Sequence, residues 1–189
     1  MAGKTTIPLT EEQYKAIITT MFNGVGTSIM PNPRIATALE VEANTGLRIG
    51  DIVSLRLCDI IRDGDRYRFD IKEQKTGKKR TFTVPDAVYD FLKDYCKTAG
   101  IRSTEVMFPL TVRAVQTRLQ KICDYLGYEH IGTHSFRKRF ATLAYENSGH
   151  DIELVRKLMQ HSSASITSRY LGISDERMDS VLKGCVSII

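Results

Sequence analysis

Apolar residues recur at helical spacing from the start of the chain. Tyr14, Ile17, Ile18, Met21 and Phe22 fall at i, i+3, i+4, i+7 and i+8, which predicts a helix with one buried face. Thr10 precedes it as a hydroxyl cap, with Glu11, Glu12 and Gln13 in the first turn. Asn23, Gly24 and Gly26 end it, and Pro31 and Pro33 break the loop that follows. A second helix is expected from about Arg34 to Thr45, stopped by Gly46. Ile52, Val53 and Leu55 then suggest a short helix, with Arg48 and Asp51 three residues apart at its start.

The period changes over residues 58–84. Ile60 and Ile61 lead into Asp63-Gly64, a hairpin turn signal. Tyr67, Phe69 and Ile71 alternate with Arg66, Arg68 and Asp70, as in a half-buried strand, and Phe82 and Val84 alternate with Thr81 and Thr83. This predicts a three-stranded antiparallel sheet whose last hairpin carries Lys72, Lys75, Lys78, Lys79 and Arg80 near its tip.

Helical spacing then returns. Val88, Phe91, Leu92 and Tyr95 mark one helix, closed near Gly100. Val112, Val115, Leu119, Ile122 and Leu126 mark another, between a Thr111 cap and Gly127, with Arg113, Arg118 and Lys121 off its stripe. A third, capped by Thr133 or Ser135, holds His134 and Arg137 beside a core stripe of Phe136, Phe140, Leu143 and Ala144. Asp151 caps a fourth, with Ile152, Val155, Leu158 and Met159 inside and His161 at its end. Ser162 and Ser163 open a short helix that delivers Tyr170, and Ser174 opens a last one with Met178, Val181 and Leu182 apolar. The tail after Gly184 is apolar, suited to the core or to a second copy. The fold class is α+β and mostly α-helical, as one domain over residues 1–189.

Composition narrows the picture only slightly. The chain has 189 residues and a formal charge of +5, a modest bias toward anionic partners. Cys58, Cys96, Cys123 and Cys185 are widely spaced with no CxxC pair, so free thiols in a reducing cytoplasm are expected rather than zinc. The start has no signal-like apolar run, and no stretch approaches a membrane span. The chemistry-bearing groups concentrate between Gly132 and Gly172: His134, Arg137, His161 and Tyr170. A guanidinium grips phosphate oxygens, imidazoles exchange protons near neutral pH, and a phenol can act as nucleophile. Each has a plainer reading. Tyr170 could be an aromatic cap, either histidine could be structural, Arg137 could pair with Glu146 or Glu153, and Arg48 with Asp51 could form a surface ion pair.

Taken as an ordered set, these residues resemble the catalytic domain of the tyrosine recombinases, the phage and transposon integrase family. The likeness runs roughly from Thr10 to Leu182. TGLRIGD is similar to the family's first arginine box, with Arg48 and its acidic support Asp51. QKTGKKR is similar to the β-hairpin lysine box, with Lys75 the matching lysine. THSFRKRFAT carries the His-x-x-Arg pair, His134 and Arg137, and MQHSSASITSRYLG supplies His161 and Tyr170. Two positions depart from the family pattern: Gln160 where Gly is frequent before the second histidine, and Phe136 where Leu is usual.

The resemblance implies a site-specific recombinase or integrase that breaks and rejoins DNA through a 3′-phosphotyrosine. Tyr170 would be the nucleophile, Arg48 and Arg137 the phosphate clamp, Lys75 the proton donor to the leaving oxygen, and His134 and His161 the phosphate-holding imidazoles. DNA contacts are expected from Lys72, Lys78, Lys79, Arg80 and Arg139. The partner would be double-stranded DNA, with a homotetramer on DNA and a monomer without it, no metal or other cofactor, and a cytoplasmic location. The helical domain that most members carry at their amino end is not expected within these residues. A DNA-binding module without cleavage, a type IB topoisomerase and a helical interaction protein are the other classes weighed.

Overall fold

The computed structural model describes residues 6–171 except Glu73, Thr76 and Lys78. The chain divides into two compact units, one ending at Phe140 and one beginning at Ala141.

The first unit begins with α1 (Glu11–Asn23). The Thr10 hydroxyl accepts from the Gln13 N–H while the Gln13 side chain accepts from the Thr10 N–H, satisfying two otherwise unpaired donors. Ile17 and Met21 are buried and Tyr14 and Ile18 partly so, but Phe22 is 47% exposed. The expected stripe is therefore one position too wide. Next comes α2 (Pro33–Thr45), which starts one residue earlier than expected, with Asn32 as cap. Pro33 initiates this helix rather than interrupting the chain, since a proline at the first helical position forfeits no hydrogen bond. Gly46 closes α2 with φ +62°, a conformation that strains any residue with a Cβ. Then follow the single turn α3 (Ile49–Ile52) and a 3₁₀ turn, Leu57–Asp59.

Strands β1 (Ile60–Asp63), β2 (Arg66–Phe69), β3 (Ile71–Lys72), β4 (Lys79–Arg80) and β5 (Thr83–Val84) form two antiparallel pieces. One sheet has the order β1-β2-β5, with Asp63 opposite Arg66 around Gly64 and Asp65. The other is a separate ribbon of β3 and β4, in which Lys72 faces Lys79. The lysine-rich hairpin is thus not the edge of the three-stranded sheet. The strand breaks at Asp70, whose N–H turns to the carbonyl of Asp59, so β3 leaves the first sheet and pairs with β4 alone.

Helices α4 (Asp86–Ala99) and α5 (Val112–Leu126) follow. Leu92 and Cys96 are the buried residues of α4, whereas Phe91 is 40% exposed. In α5 the buried positions are Val115, Leu119, Ile122 and Cys123, and the Thr111 hydroxyl caps its start as expected. Helix α6 (Thr133–Asn147) begins in this unit. Ser135 lies inside it, its hydroxyl reaching back to the Gly132 N–H. The Phe136 ring meets the edge of Tyr14 at 6.2 Å, tying α6 to α1.

The second unit continues α6 and adds α7 (Ile152–Met159) and α8 (Ala164–Leu171). Asp151 caps α7 through the N–H groups of Glu153 and Leu154, and Val155 and Met159 are buried. Leu143, expected in the core, is 38% exposed. The expected last helix and the apolar tail after Gly184 lie outside the described residues, as does Cys185.

Candidate active site

Helix α3 and the β3–β4 hairpin assemble the first part of the site. Arg48 stands at the start of α3 in extended conformation, directly after the left-handed Gly46 turns the chain out of α2. Asp51, one turn on, is 5% exposed. Its Oδ1 accepts the backbone N–H of Gln74 at 2.8 Å, and the Gln74 side-chain amide donates to the Ser54 hydroxyl at 2.9 Å. These bonds fasten the hairpin to α3 immediately before Lys75. A charge-assisted bond of this kind contributes roughly 1.5–3 kcal/mol.

Arg48, Asp51, Gln74, Lys75, Thr133 and His134 line a cleft of about 360 Å³. Lys75 is exposed at the hairpin and Arg48 half-buried. The His134 imidazole is exposed at its rim yet holds its pKa below the ordinary 6.5. Partial burial of the ring is the largest cause, followed by the positive charges of Arg137, Lys75, Arg48 and Lys138. His134 is therefore mostly neutral at pH 7, with one ring nitrogen able to donate and the other to accept.

Arg137 is 2% exposed, which is rare for a cation. Its Nη1 donates to the carbonyl of Gly46. The last turn of α2 therefore fixes the arginine as well as releasing the chain toward Arg48. Glu42 on that turn is 0% exposed. Burial raises its carboxyl well above the usual carboxylate range, opposed by the positive charge of Arg137 and the Ile49 N–H. Glu153, one of the acids weighed as a partner for Arg137, binds Arg156 at 2.6 and 2.8 Å. Glu42 went unnoticed in sequence although a signal was present. It falls seven residues after Ile35 and three after Leu39, on the buried stripe of α2.

In the second unit, α7 ends at Gln160 with φ +53°. Gly was expected here from the family pattern, and the left-handed conformation is one that glycine adopts without strain. The turn it makes is held by Arg156, whose Nη1 donates to the His161 carbonyl at 2.9 Å. His161 Nδ1 lies 3.1 Å from the hydroxyl of the fully buried Thr167. That hydroxyl can also donate to the Ser163 carbonyl at 3.4 Å, an arrangement suited to accepting from an Nδ1–H. The His161 and Tyr170 rings meet edge to face at 5.1 Å. A phenol and an imidazole are thus neighbours on one turn-and-helix unit.

The expected DNA-contacting residues differ in their surroundings. Lys72 and Lys79 are exposed on the ribbon, and Lys79 also pairs with Asp70 at 2.7 Å. Arg139 is engaged elsewhere: its guanidinium binds Glu11 and lies 4.2 Å from the centre of the Tyr14 ring, with its side chain 12% exposed. Lys78 and the side chain of Arg80 lie outside the described residues. Among the described residues no group of three or more His, Cys, Asp or Glu could hold a metal ion, and no helix is long and apolar enough to cross a membrane. Cys96 and Cys123 are buried thiols and Cys58 an exposed one.

Comparison with known proteins gives a consistent result. The sequence pattern of the phage integrase family matches residues 8–177. A probable integrase/recombinase, YoeC of Bacillus subtilis, is 30% identical over 138 residues, covering 70% of this chain and 74% of that protein. The tyrosine recombinase XerC of Caldanaerobacter subterraneus is 27% identical over 146 residues, covering 71% of this chain but 40% of its own length. The chain therefore spans only part of the Xer relatives it matches. Among solved structures, XerH recombinase in a post-cleavage complex with palindromic difH substrate has a TM-score of 0.68 at 20% identity, over 95% of this chain and 53% of that one. The catalytic domain of bacteriophage HP1 integrase has a TM-score of 0.65 at 18% identity, over 94% of both chains. At such identities the likeness establishes the fold.

Proposed function

The chain belongs to the phage integrase family, and we propose that it is a tyrosine-type site-specific recombinase acting on double-stranded DNA. The observation that carries the reading is the convergence of Arg48, Lys75 and His134 on one cleft, with the charge of Arg137 felt at His134. Three cations around a neutral imidazole form a receptor for a phosphodiester, and the exposed lysines of the ribbon extend it along a DNA backbone.

In this reading the Tyr170 oxygen attacks phosphorus. A Tyr–O–P bond forms, the bond to the 5′-oxygen breaks, and Lys75 gives that oxygen a proton. A phenol has a pKa near 10, so it is almost entirely protonated at pH 7 and needs an acceptor for its proton. The imidazoles of His134 and His161 serve that transfer and hold the phosphate. Arg48 and Arg137 stabilise charge on the non-bridging oxygens, a contribution for which each donor typically accounts for about 10²–10³ in rate. The 3′-phosphotyrosine conserves the ester energy, so a 5′-hydroxyl from another strand can reseal the backbone without a nucleotide cofactor. Work as a homotetramer on two duplexes, a single catalytic domain over residues 1–189 and a cytoplasmic setting complete the reading.

The test is covalent capture. A pool of end-labelled, nicked duplexes with randomised sequence around the nick is incubated with the protein and resolved under denaturing conditions. Wild-type protein should acquire label and Tyr170→Phe should not. Label retained by Tyr170→Phe would remove Tyr170 as nucleophile, and no label on wild type would overturn the proposed activity.

A further inference from the structure

Thr167 lies on α8 with 0% of its surface exposed. A hydroxyl removed from water costs free energy unless it is hydrogen-bonded, and valine would fill the same space without that cost. The Thr167 hydroxyl has two neighbours. The Ser163 carbonyl, four residues earlier, lies 3.4 Å away, the local bond that threonine makes within a helix. His161 Nδ1 is the nearer, at 3.1 Å. The helix gives no reason for a hydroxyl here, since the Ser163 carbonyl already accepts the Thr167 N–H. A hydroxyl that donates to the carbonyl keeps its lone pairs for the ring.

The backbone of His161 is held separately. Its N–H donates to the Arg156 carbonyl at 3.0 Å, and its carbonyl accepts from Arg156 Nη1 at 2.9 Å. Arg156 is in turn paired with Glu153. These bonds fix where the side chain starts but not which way the ring faces. Rotation about the last side-chain bond of histidine is broad and roughly two-fold. A half-turn would put a carbon where Nδ1 stands, and a carbon has no comparable bond to offer the Thr167 hydroxyl. The Tyr170 ring meets the same imidazole at 5.1 Å, so the orientation chosen bears on the phenol as well.

We propose that Thr167 is a positioning residue for His161: its hydroxyl accepts from Nδ1–H, which fixes the orientation and tautomer of the ring and leaves the lone pair on Nε2. The hydrogen bond made by one ring nitrogen decides the state of the other. This rests on the recombinase reading for the roles of His161 and Tyr170. In that reading the phenol O–H bond breaks as the Tyr170 oxygen attacks phosphorus, and the proton passes to Nε2. The imidazolium so formed carries a proton on each nitrogen. Nδ1–H keeps its bond to Thr167, and Nε2–H can donate to the phosphate. Thr167 itself touches no substrate.

The tautomer is read by proton–nitrogen correlation NMR on the full chain with isotope-labelled histidine, at a pH well above the ordinary imidazole value. Free histidine in water favours the proton on Nε2. His161 should carry it on Nδ1 in wild type and in Thr167→Ser, which keeps the hydroxyl, and on Nε2 in Thr167→Val. Adduct formation is then timed on a nicked duplex recovered from the covalent-capture pool. Thr167→Val should be at least about tenfold slower than wild type, and Thr167→Ser within about threefold of it. A wild-type proton on Nε2 overturns the proposal, as does a Thr167→Val spectrum that keeps Nδ1–H. Cleavage by Thr167→Val at the wild-type rate also overturns it, and so does a Thr167→Ser variant as slow as Thr167→Val. Should Thr167→Val fail to fold, the wild-type and Thr167→Ser spectra decide: Nδ1–H in both supports the positioning contact, and its absence from either overturns it. If wild type forms no adduct, the recombinase reading fails, and the spectra of the free protein still decide whether Thr167 orients His161.

Discussion

The Asp51 carboxylate accepts the backbone N–H of Gln74 across 23 residues of sequence, at 2.8 Å. One bond thus couples the helix that begins at Arg48 to the hairpin that bears Lys75. The bond is made to the main chain, so it does not depend on the side chain at position 74. Asp51→Ala should cost about 1.5–3 kcal/mol, the worth of a hydrogen bond to a charged group. Gln74→Ala forfeits only the exposed amide contact to Ser54 and should cost under about 1 kcal/mol. Denaturant unfolding of the two variants checks the order. A larger loss in Gln74→Ala would show that the side chain, not the Asp51 bond, holds the hairpin.

The ionisation of His134 reports the cluster directly. Its folded-state pKa is lowered by burial and then by Arg137, Lys75, Arg48 and Lys138. A base with a lowered folded pKa contributes stability that is fully present above its unfolded value and lost as pH falls through the folded one. An NMR titration should therefore place the His134 midpoint below 6.5, and Arg48→Ala or Lys75→Ala should each raise it. Stability should fall with acid in the window just below pH 6.5, less steeply in His134→Asn. A midpoint unmoved by both cation deletions would mean that Arg48 and Lys75 do not share the cleft in solution.

Gly46 joins three functions at one residue: it ends α2, accepts from Arg137 and faces Phe140. A Cβ there would lie 2.4 Å from Cδ1 of the Phe140 ring, and φ is +62°. Gly46→Ala should destabilise by at least about 1–2 kcal/mol from the left-handed backbone alone, with the displaced ring adding to it. Urea unfolding gives the stability, and adduct formation should fall as well because the Arg137 acceptor moves with the turn. An Ala variant as stable as wild type would contradict the close approach of α6 to this turn.

DNA affinity should fall with salt. Each phosphate contact released contributes about 0.9 to the slope of log affinity against log salt concentration. Lys72→Ala and Lys75→Ala should each reduce that slope by roughly one contact, measured by fluorescence anisotropy on a labelled duplex. Arg139→Ala should leave the slope nearly unchanged, since its guanidinium is held by Glu11 and Tyr14. An equal effect of all three would show that Arg139 leaves Glu11 on DNA.

What the sequence by itself determined was local. Caps, stops and periods lie within a few residues of what they govern, so Thr10, Asp151 and Gly127 could be read where they stand. The ordered polar boxes were legible for the same reason, each fixed by its spacing within one turn or one hairpin. Tertiary structure decided everything that required two distant segments to meet. Only the fold showed that Asp51 anchors a hairpin, that Lys72 and Lys79 belong to a separate ribbon, and that Arg139 is spent on Glu11. Phe22, Phe91 and Leu143 sit at stripe edges, where periodicity fixes a direction but not how far the neighbouring element extends to cover it. Glu42 is a further case: its place on an apolar stripe was visible, but the turn it forms with Gly46 receives the Arg137 guanidinium, 91 residues beyond Gly46, only on folding.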